Sequence, residues 1–287
     1  MIAAGRLSPQ TLSDAADALL AAGCAPTARD WIDEGDAADI VFGLAPEAAR
    51  AALEYKFDGV DVVVQPLEGR SKMLLVADMD STMITVECID ELADYAGIKP
   101  EIAAITEAAM RGELDFAAAL DARVALLKGL DANAIDRCRI ERVKLMPGAV
   151  RLVRTMRARG ATTILVSGGF TAFAEPLGQE IGFDRVIANR LVIADGRLTG
   201  AVGKPIVDAS TKERTLREAR AELRLADAAT LAVGDGANDL AMIGIAGLGV
   251  AYRAKPIVAQ AAAARIDHGD LTALLWAQGI PKRQWVA

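Results

Sequence analysis

Two aspartates at positions 78 and 80 follow directly on the apolar run Leu74–Ala77. Such a run predicts a buried strand of a parallel sheet, and open α/β sheets bind ligands at the carboxyl ends of their strands. Side chains alternate along an extended segment, so Asp78 and Asp80 can project from the strand tip toward one site. Two acids at this position could bind a divalent cation. Alternatively, one could act as the nucleophile and the other as the acid in a reaction on phosphate. Taken alone, the pair more often marks an ordinary strand end.

A second acidic string, GDGAND at residues 234–239, follows the apolar run Thr230–Val233. Its glycines allow a close approach of the backbone, and Asn238 and Asp239 are placed to begin a helix. Asp235 can add an oxygen ligand for a metal, and Asp239 can hold that ligand in place. Because Mg²⁺ is usually held by a few carboxylates and several waters, the two strings together predict a magnesium site.

Two weaker motifs occur where a phosphate site would need them. Ser167, Gly168 and Gly169 follow the predicted strand Thr162–Val166, and a hydroxyl with two unhindered amides can cradle a phosphate. Lys212 comes early in the charged helix predicted for 210–223, and its ammonium can offset phosphate charge if that helix starts at the same edge. Each motif alone is more often an ordinary turn or a solvated lysine.

The sequence lacks the residues that several other phosphatase and nucleotide-binding mechanisms require. His268 is the single histidine, so histidine phosphatase and di-zinc hydrolase chemistry are excluded, and we expect a structural or surface role for it. None of the three cysteines is followed by an arginine at the spacing of a cysteine-phosphatase loop. No GxxxxGK[ST] nucleotide loop occurs either.

Taken together, the DxDxT, Ser-Gly-Gly, Lys and GDGxND motifs occur in an order that resembles the haloacid-dehalogenase-like phosphotransferase superfamily, over about residues 70–280. The resemblance is to its phosphoserine phosphatase family. It implies that Asp78 is the nucleophile, that Asp80 is the general acid/base and lends a backbone carbonyl to Mg²⁺, and that Asp235 binds the same ion. The other roles that it implies are loop shaping by Thr82, phosphate binding by Ser167 and Gly168, neutralisation of the phosphoaspartate by Lys212 and substrate contact by Asn238.

The resemblance extends into the segment after the first motif. Glu87 stands where the family has the acid that holds the substrate ammonium, and Arg123 where it has the arginine that pairs with the substrate carboxylate. Met110 and Phe116 stand at pocket-wall positions. An amino acid needs one anion and one planar cation for its two ends. The resemblance thus implies Mg²⁺-dependent hydrolysis of O-phospho-L-serine in serine biosynthesis, with another small phosphomonoester as the alternative.

Two other functions compete with this enzyme. The chain could sense amino acids while carrying a vestigial catalytic unit, but Asp78, Asp80, Lys212 and Asp235 are all intact. A receiver domain also pairs acids with a lysine at a sheet edge, but it is too short for this chain and has no inserted segment. We therefore favour a phosphatase.

The residues of the four motifs can meet only if they lie at one edge of an α/β core. The alternation of predicted strands and helices supports such a core. We expect a doubly wound parallel sheet from residues 71–83 and 144–287, with a helical cap, 84–143, inserted after its first strand. Residues 1–70 predict a βαββαβ order, with end strands Ile2–Leu7 and Val60–Gln65, typical of a ferredoxin-like sandwich. This unit resembles the ACT-like modules of some phosphoserine phosphatases, which suggests effector binding or a homodimer.

The composition and charge of the chain indicate its cellular compartment and the kind of partner that it binds. The 287 residues are 53% hydrophobic and 25% charged, and residues 1–70 carry 12 Asp/Glu against 5 Lys/Arg while the rest is neutral. No basic surface for nucleic acid or anionic lipid is indicated. With no membrane-length apolar stretch, signal peptide or paired cysteines, we expect a cytoplasmic chain whose partner is a small-molecule substrate.

Overall fold

A computed structural model describes residues 1–110 and 113–287, with the backbone alone of Met110. Within these residues the strands are β1 (Pro26–Asp33), β2 (Ala37–Phe42), β3 (Leu74–Ala77), β4 (Thr162–Phe170), β5 (Arg185–Asn189), β6 (Leu191–Ala194), β7 (Arg197–Val202), β8 (Thr230–Gly234), β9 (Leu248–Tyr252) and β10 (Ala264–Ile266). The helices are α1 (Pro9–Ala21), α2 (Pro46–Leu53), α3 (Cys88–Ala96), α4 (Lys99–Met110), α5 (Phe116–Leu126), α6 (Asn133–Arg142), α7 (Ala149–Ala158), α8 (Thr171–Ile181), α9 (Ala209–Glu222), α10 (Leu240–Ile245), α11 (Pro256–Ala261) and α12 (Ala273–Ala277). None of these described helices has the length and apolar character needed to cross a membrane.

Six of the strands form one parallel sheet in the order β10-β9-β8-β3-β4-β5. The central strand β3 is buried on both faces, because Leu75 and Ala77 belong to one hydrophobic cluster while Leu74 and Val76 belong to another. The first cluster includes apolar side chains of α7, α8 and α12, and the second includes those of α9, α10 and α11. The prediction of a doubly wound parallel α/β core is thus confirmed.

The strand order changes direction at β3. After β3 the chain moves outward through β4 and β5, and it then returns to the other side of β3 for β8, β9 and β10. Ligands of open α/β sheets bind at such points, in the crevice at the carboxyl ends of the strands. Asp78 follows β3 and Asp235 follows β8, so the fold places both acids at this crevice.

Helices α3 to α6 occupy the stretch between β3 and α7, where the sequence predicts a helical cap. The first of them ends at Gly97, which takes the left-handed conformation with a φ of 74°. An antiparallel bridge between Ile84 and Leu145 joins the two ends of this helical stretch. The limits 71–83, 84–143 and 144–287 for core and cap stay predictions.

The N-terminal part contains the antiparallel pair β1 and β2 and the two helices that the βαββαβ order predicts. The predicted end strands are wrong: only single bridges pair Ile2 with β2 and with Asp61. The first strand is cut short because Gly5 turns the chain with a φ of 77°. After Asp61 the chain leaves the sheet, and the Gln65 side chain donates to Ala277 O of α12 at 2.6 Å.

Asp61 also holds this N-terminal part against the core. Its buried carboxylate accepts the backbone N–H groups of Asp267, His268 and Gly269 at 2.8, 3.1 and 2.7 Å. The single histidine therefore contributes its backbone to this contact. An ACT-like domain over residues 1–70 stays a prediction.

Candidate active site

The first acidic motif lies at the carboxyl end of the central strand. Asp78 N donates to Val233 O at 3.0 Å, which extends the pairing of β3 with β8 by one residue. The Asp78 carboxylate is buried, and one oxygen each of Asp78, Asp235 and Asp239 lie within 4.8 Å of one another. The structure therefore brings the two acidic strings of the sequence to one place.

Lys212 lies beneath Asp78 and is buried rather than solvated. Asp208 directly precedes helix α9, and its carboxylate accepts from Thr211 N at 2.9 Å and caps the helix. One turn further on, Lys212 Nζ contacts Asp78 Oδ1 and also lies 2.7 Å from Asp239 Oδ1. Burial lowers the pKa of Lys212, but the two carboxylates more than offset this and the net pKa is raised. The lysine thus remains a fixed positive charge beside Asp78.

Asp239 supports this arrangement with both of its oxygens. Oδ1 accepts from Lys212, and Oδ2 accepts from Gly236 N at 3.0 Å. The carboxylate packs so closely on β8 that a Cβ added to Gly234 would lie 2.3 Å from Asp239 Cγ. Glycine at position 234 is therefore needed for this contact. Because its oxygens are engaged by the chain, Asp239 is better suited to holding Lys212 than to binding a metal.

Asp80 is held between the helical stretch and β4. Its Oδ1 accepts from Cys88 N at 2.9 Å, and its Oδ2 accepts from Ser167 Oγ at 3.3 Å. Burial, reinforced by the negative charge of Glu87, raises the pKa of Asp80 to about 6. A carboxyl group with this pKa can give up and take back a proton near neutral pH, as a general acid/base must.

The residues 167–169 form the end of β4 and not a turn after it. We predicted that the strand stops at Val166, but it continues to Phe170 through an irregularity in its pairing with β5. Gly169 N donates to Ser167 Oγ at 2.8 Å, and a Cβ on Gly169 would lie 2.9 Å from Asp80 Oδ2. The missing side chain of Gly169 is what lets this strand end approach Asp80.

A cleft of about 460 Å³ opens above these groups. It is lined by most of the residues that the sequence indicated, namely Asp78, Asp80, Glu87, Phe116, Arg123, Gly168, Asp235 and Asn238. Three others, Ser167, Lys212 and Asp239, are buried beneath its floor. The ring of Phe116 covers Gly168, since a Cβ built there would be 3.1 Å from Phe116 Cζ. Met110 ends α4, and its side chain lies outside the described part of the structure.

Glu87 and Arg123 give the outer part of the cleft one charge of each sign. Glu87 Oε1 accepts from Ser81 Oγ at 2.8 Å, and Arg123 Nε donates to Ala119 O at 3.3 Å. No ion pair within residues 1–110 and 113–287 uses either of them. Both charges therefore remain available to a ligand that carries an ammonium and a carboxylate.

A family defined as haloacid dehalogenase-like hydrolase matches residues 75–244, which is more than half of the chain. The chain belongs to the haloacid dehalogenase-like hydrolase family. The resemblance seen in the sequence motifs is thus confirmed.

Known proteins similar to this haloacid dehalogenase-like hydrolase include the phosphoserine phosphatase of Streptomyces coelicolor, 46% identical over 248 residues. That match covers 85% of this chain but 60% of the relative, so the chain spans only about three fifths of its length. A solved HAD family hydrolase from Salmonella enterica covers 94% of both chains at 30% identity, with a TM-score of 0.83. A substrate-bound phosphoserine phosphatase complex covers 72% of this chain and 98% of its own, at 36% identity and a TM-score of 0.66.

The acids of this hydrolase are crowded in a way that fits a divalent cation. Burial raises the pKa of Asp78, and Asp239 and Asp80 add to this while Lys212 opposes it. Burial, with Asp239, also raises the pKa of Asp235 to about 6. One ammonium thus faces several carboxylates, and oxygen ligands with excess negative charge are what Mg²⁺ prefers.

Available oxygens point to the ligands that such a cation would use. Asp235 is half-buried on the cleft wall, where Thr82 Oγ1 donates to its Oδ1 at 3.3 Å. Within the described residues no hydrogen bond uses the backbone oxygen of Asp80. Asp78 and Asp235 could therefore hold a metal ion, and a contribution from the Asp80 carbonyl stays a prediction.

Some polar residues of the cleft were not found from the sequence. Asp90, Thr106 and Lys255 all line it. Lys255 N donates to Asp235 O at 3.1 Å, so the start of α11 is tied to the acidic loop after β8. Lys255 lies three residues after the end of β9, and its position shortly after another strand of the sheet was the signal that could have indicated it.

Proposed function

We propose that this chain is a Mg²⁺-dependent phosphatase that hydrolyses O-phospho-L-serine to L-serine and phosphate. The observation that carries the proposal is the contact of Asp78 with the buried Lys212 on the floor of a cleft that also presents Asp80, Glu87 and Arg123. The relatives named phosphoserine phosphatase support the same substrate.

Asp78, Asp235 and the backbone carbonyl of Asp80 would hold the metal ion. When bound, Mg²⁺ reduces the repulsion between the attacking carboxylate and the phosphate dianion and polarises a phosphoryl oxygen. Lys212 reinforces this effect from below, because its ammonium is already fixed against Asp78.

In the first step an Asp78 oxygen attacks phosphorus, and the bond from phosphorus to the serine oxygen breaks. The Asp80 carboxyl donates its proton to the departing oxygen, which leaves as the serine hydroxyl. Lys212, Ser167 and Gly168 would offset the charge on the phosphoryl oxygens. The product of this step is a phosphoaspartate at residue 78.

In the second step water attacks the phosphoaspartate and gives its proton to Asp80. The Asp78–phosphorus bond breaks, inorganic phosphate is released, and both aspartates return to their starting states. The raised pKa of Asp80, about 6, suits both halves of this cycle, since the same group must act first as an acid and then as a base.

Residues of the outer cleft would select the substrate. Glu87 would hold the ammonium group and Arg123 the carboxylate of the amino acid, while Phe116 would close the wall beside the phosphate. Met110 would contribute to the same wall. A guanidinium can bind a carboxylate through two parallel hydrogen bonds, which fixes the substrate in one orientation.

The proposal is tested by measuring inorganic phosphate released from O-phospho-L-serine with Mg²⁺ and with a chelator. We expect turnover with the metal, loss without it, and loss in Asp78→Asn. The exposed Asp195→Asn, at the tip of the β6–β7 turn, is the matched control and should keep wild-type turnover. Wild-type turnover by Asp78→Asn would contradict the nucleophile assignment.

A second candidate substrate is another small phosphomonoester. The additional polar groups of the cleft, Asp90, Thr106 and Lys255, favour it, because an amino acid needs only one charge of each sign at its two ends. A panel of phosphomonoesters assayed with Mg²⁺ separates the two candidates. A higher kcat/KM for a compound without an α-carboxylate would favour the second.

We also propose a cytoplasmic location and a homodimer formed through the N-terminal part. The three cysteines are buried and free, as is common in a reducing compartment. Among the described strands β1 pairs only with β2, so its other edge is open to a second copy. Sedimentation of the full chain, compared with an Arg29→Pro variant in β1, tests the dimer: the variant should be monomeric, and an unchanged mass would exclude this edge.

A further inference from the structure

Asn189, the last residue of β5, has a buried side chain that the mechanism above does not use. Its Nδ2 donates to Gly168 O at 2.9 Å and to Val207 O at 3.0 Å. Its Oδ1 accepts from Val207 N at 2.7 Å. Both donor hydrogens and the acceptor of this amide are thus engaged, and all three partners are backbone groups.

These partners belong to two pieces of chain that meet at the reaction centre. Gly168 lies in the strand end that faces the phosphate site beside Asp80. Val207 immediately precedes Asp208, the residue that caps α9, and Lys212 follows in the first turns of that helix. One side chain therefore fixes both the phosphate-binding backbone and the start of the helix that delivers the lysine.

Val207 depends on this contact. It is buried, and within the described residues its backbone N–H and C=O make their hydrogen bonds only with Asn189. The excursion 190–206, which contains the β6–β7 hairpin, separates the two residues along the chain. A backbone hydrogen bond from Gly203 N to Arg190 O, at 2.7 Å, closes the excursion four residues before Val207, and the Asn189 amide ties Val207 itself to the end of β5.

We propose that Asn189 is a positioning residue of the phosphate site, which sets the distance between the Gly168 backbone and Lys212. The inference rests on the proposed function, because it assumes that the two groups act on the same phosphoryl group. Displacements of about 1 Å in groups that orient a reacting centre can lower rates about 100-fold, so a small shift of either piece is measurable.

The test compares Asn189→Ala, Asn189→Ser and Asn189→Asp with Gln278→Ala. Aspartate at position 189 keeps the acceptor for Val207 N, but it replaces the donor to Gly168 O and Val207 O with a second oxygen. Gln278 is a matched control because its buried amide also accepts from a backbone N–H, that of Lys72, and donates to Leu274 O. Those bonds lie at the opposite end of β3 from Asp78.

Three quantities are measured at a temperature where each variant is folded: kcat and KM for O-phospho-L-serine, the same constants for p-nitrophenyl phosphate, and the Kd of inorganic phosphate with Mg²⁺ by calorimetry. We expect the Asn189 variants to lose about 10- to 100-fold in kcat on both substrates and to bind phosphate more than about tenfold more weakly. Gln278→Ala should lose stability but keep all three quantities within about twofold.

Kinetic constants and a phosphate Kd within about twofold of wild type in the Asn189 variants would overturn the inference. Failure of all three variants to fold would assign Asn189 to folding alone and would also overturn it. If the wild type binds phosphate but does not hydrolyse phosphoserine, the proposed substrate fails while the phosphate Kd still decides the role of Asn189.

Discussion

The hydroxyl of Thr82 donates to Asp235 Oδ1 at 3.3 Å, and this bond links the loop after β3 to the loop after β8. Thr82 is fully buried, so the donor side of this bond is shielded from water. Since Asp235 is a proposed metal ligand, Thr82 would fix the direction in which the remaining lone pairs of that carboxylate point. Groups that orient a metal ligand in this way affect metal affinity strongly.

Thr82→Val should therefore weaken Mg²⁺ binding roughly 10- to 100-fold. The substitution preserves the shape of the side chain and removes only the hydroxyl. Thr82→Ser keeps the hydroxyl and is the matched control, which should stay close to wild type. The measurement is the Mg²⁺ concentration that gives half-maximal turnover. Equal concentrations for Thr82→Val and the wild type would contradict the idea that the Thr82–Asp235 hydrogen bond orients a metal ligand.

Gly234→Ala should damage both stability and activity. The new Cβ would lie 2.3 Å from Asp239 Cγ, so either β8 or the carboxylate that holds Lys212 must move. Overpacking of this kind costs about 1–3 kcal/mol of unfolding free energy, and we expect turnover to fall more than about tenfold because Lys212 loses its position.

The control for that substitution is Gly244→Ala, in the exposed part of α10. A Cβ there meets nothing within 4 Å, and alanine is favoured over glycine in a helix by up to about 1 kcal/mol. Gly244→Ala should thus raise the free energy of unfolding slightly and leave turnover unchanged. Urea unfolding and phosphate release are measured on both variants, and equal effects at positions 234 and 244 would refute the argument from close packing.

Arg123→Lys should lower kcat/KM for phosphoserine about 100-fold while leaving that for phosphoethanolamine nearly unchanged. Lysine keeps the charge but cannot bind a carboxylate with two parallel hydrogen bonds, and phosphoethanolamine has no carboxylate to lose. Arg142→Lys is the control, since this exposed arginine pairs with Asp94 and Glu91 outside the cleft. Equal losses on the two substrates would place Arg123 outside substrate selection.

Lys72 should make the stability of the fold depend on pH in the alkaline range. Its ammonium is buried and donates to Gly69 O and Ala228 O, and burial lowers its pKa from 10.5 to about 8. Between these values the unfolded chain binds more protons than the folded one. The free energy of unfolding therefore rises with pH across this window, by up to about 1.4 kcal/mol per unit.

The measurement is the urea unfolding of the wild type and of Lys72→Met at several pH values between 8 and 10.5. Other groups titrate in the same range, so the prediction concerns the difference between the two proteins. That difference should shift in favour of the wild type as the pH rises. A pH-independent difference would mean that Lys72 keeps its ordinary pKa in the folded state.

Much of the core could be predicted from sequence because its strands are buried on both faces. Short apolar runs such as 74–77 and 230–233 are typical of strands buried on both faces, and both form central strands of the sheet. The acids that follow them then had to meet, because parallel strands end at the same edge. Asp78 and Asp235 were accessible to sequence reasoning for this reason.

Lys212 and Asn189 were not accessible in the same way. The helix around Lys212 is rich in charged residues and predicts a solvated side chain, while its burial is set by contacts with residues 78 and 239, distant in the chain. Asn189 carries no motif, since its partners are backbone atoms. The prediction of end strands at Ile2–Leu7 and Val60–Gln65 was wrong because tertiary contacts, such as that of Gln65 with α12, outweighed strand propensity.

The most direct test of the account is to trap the covalent intermediate. Enzyme mixed with O-phospho-L-serine and Mg²⁺ is quenched in acid within the first turnover, reduced with borohydride and digested for mass spectrometry. A phosphoaspartate is reduced to homoserine, so we predict homoserine at position 78 in the wild type and none in Asp78→Asn. Turnover without homoserine at position 78, or with the modification at Asp80, would contradict the claim that Asp78 takes the phosphoryl group.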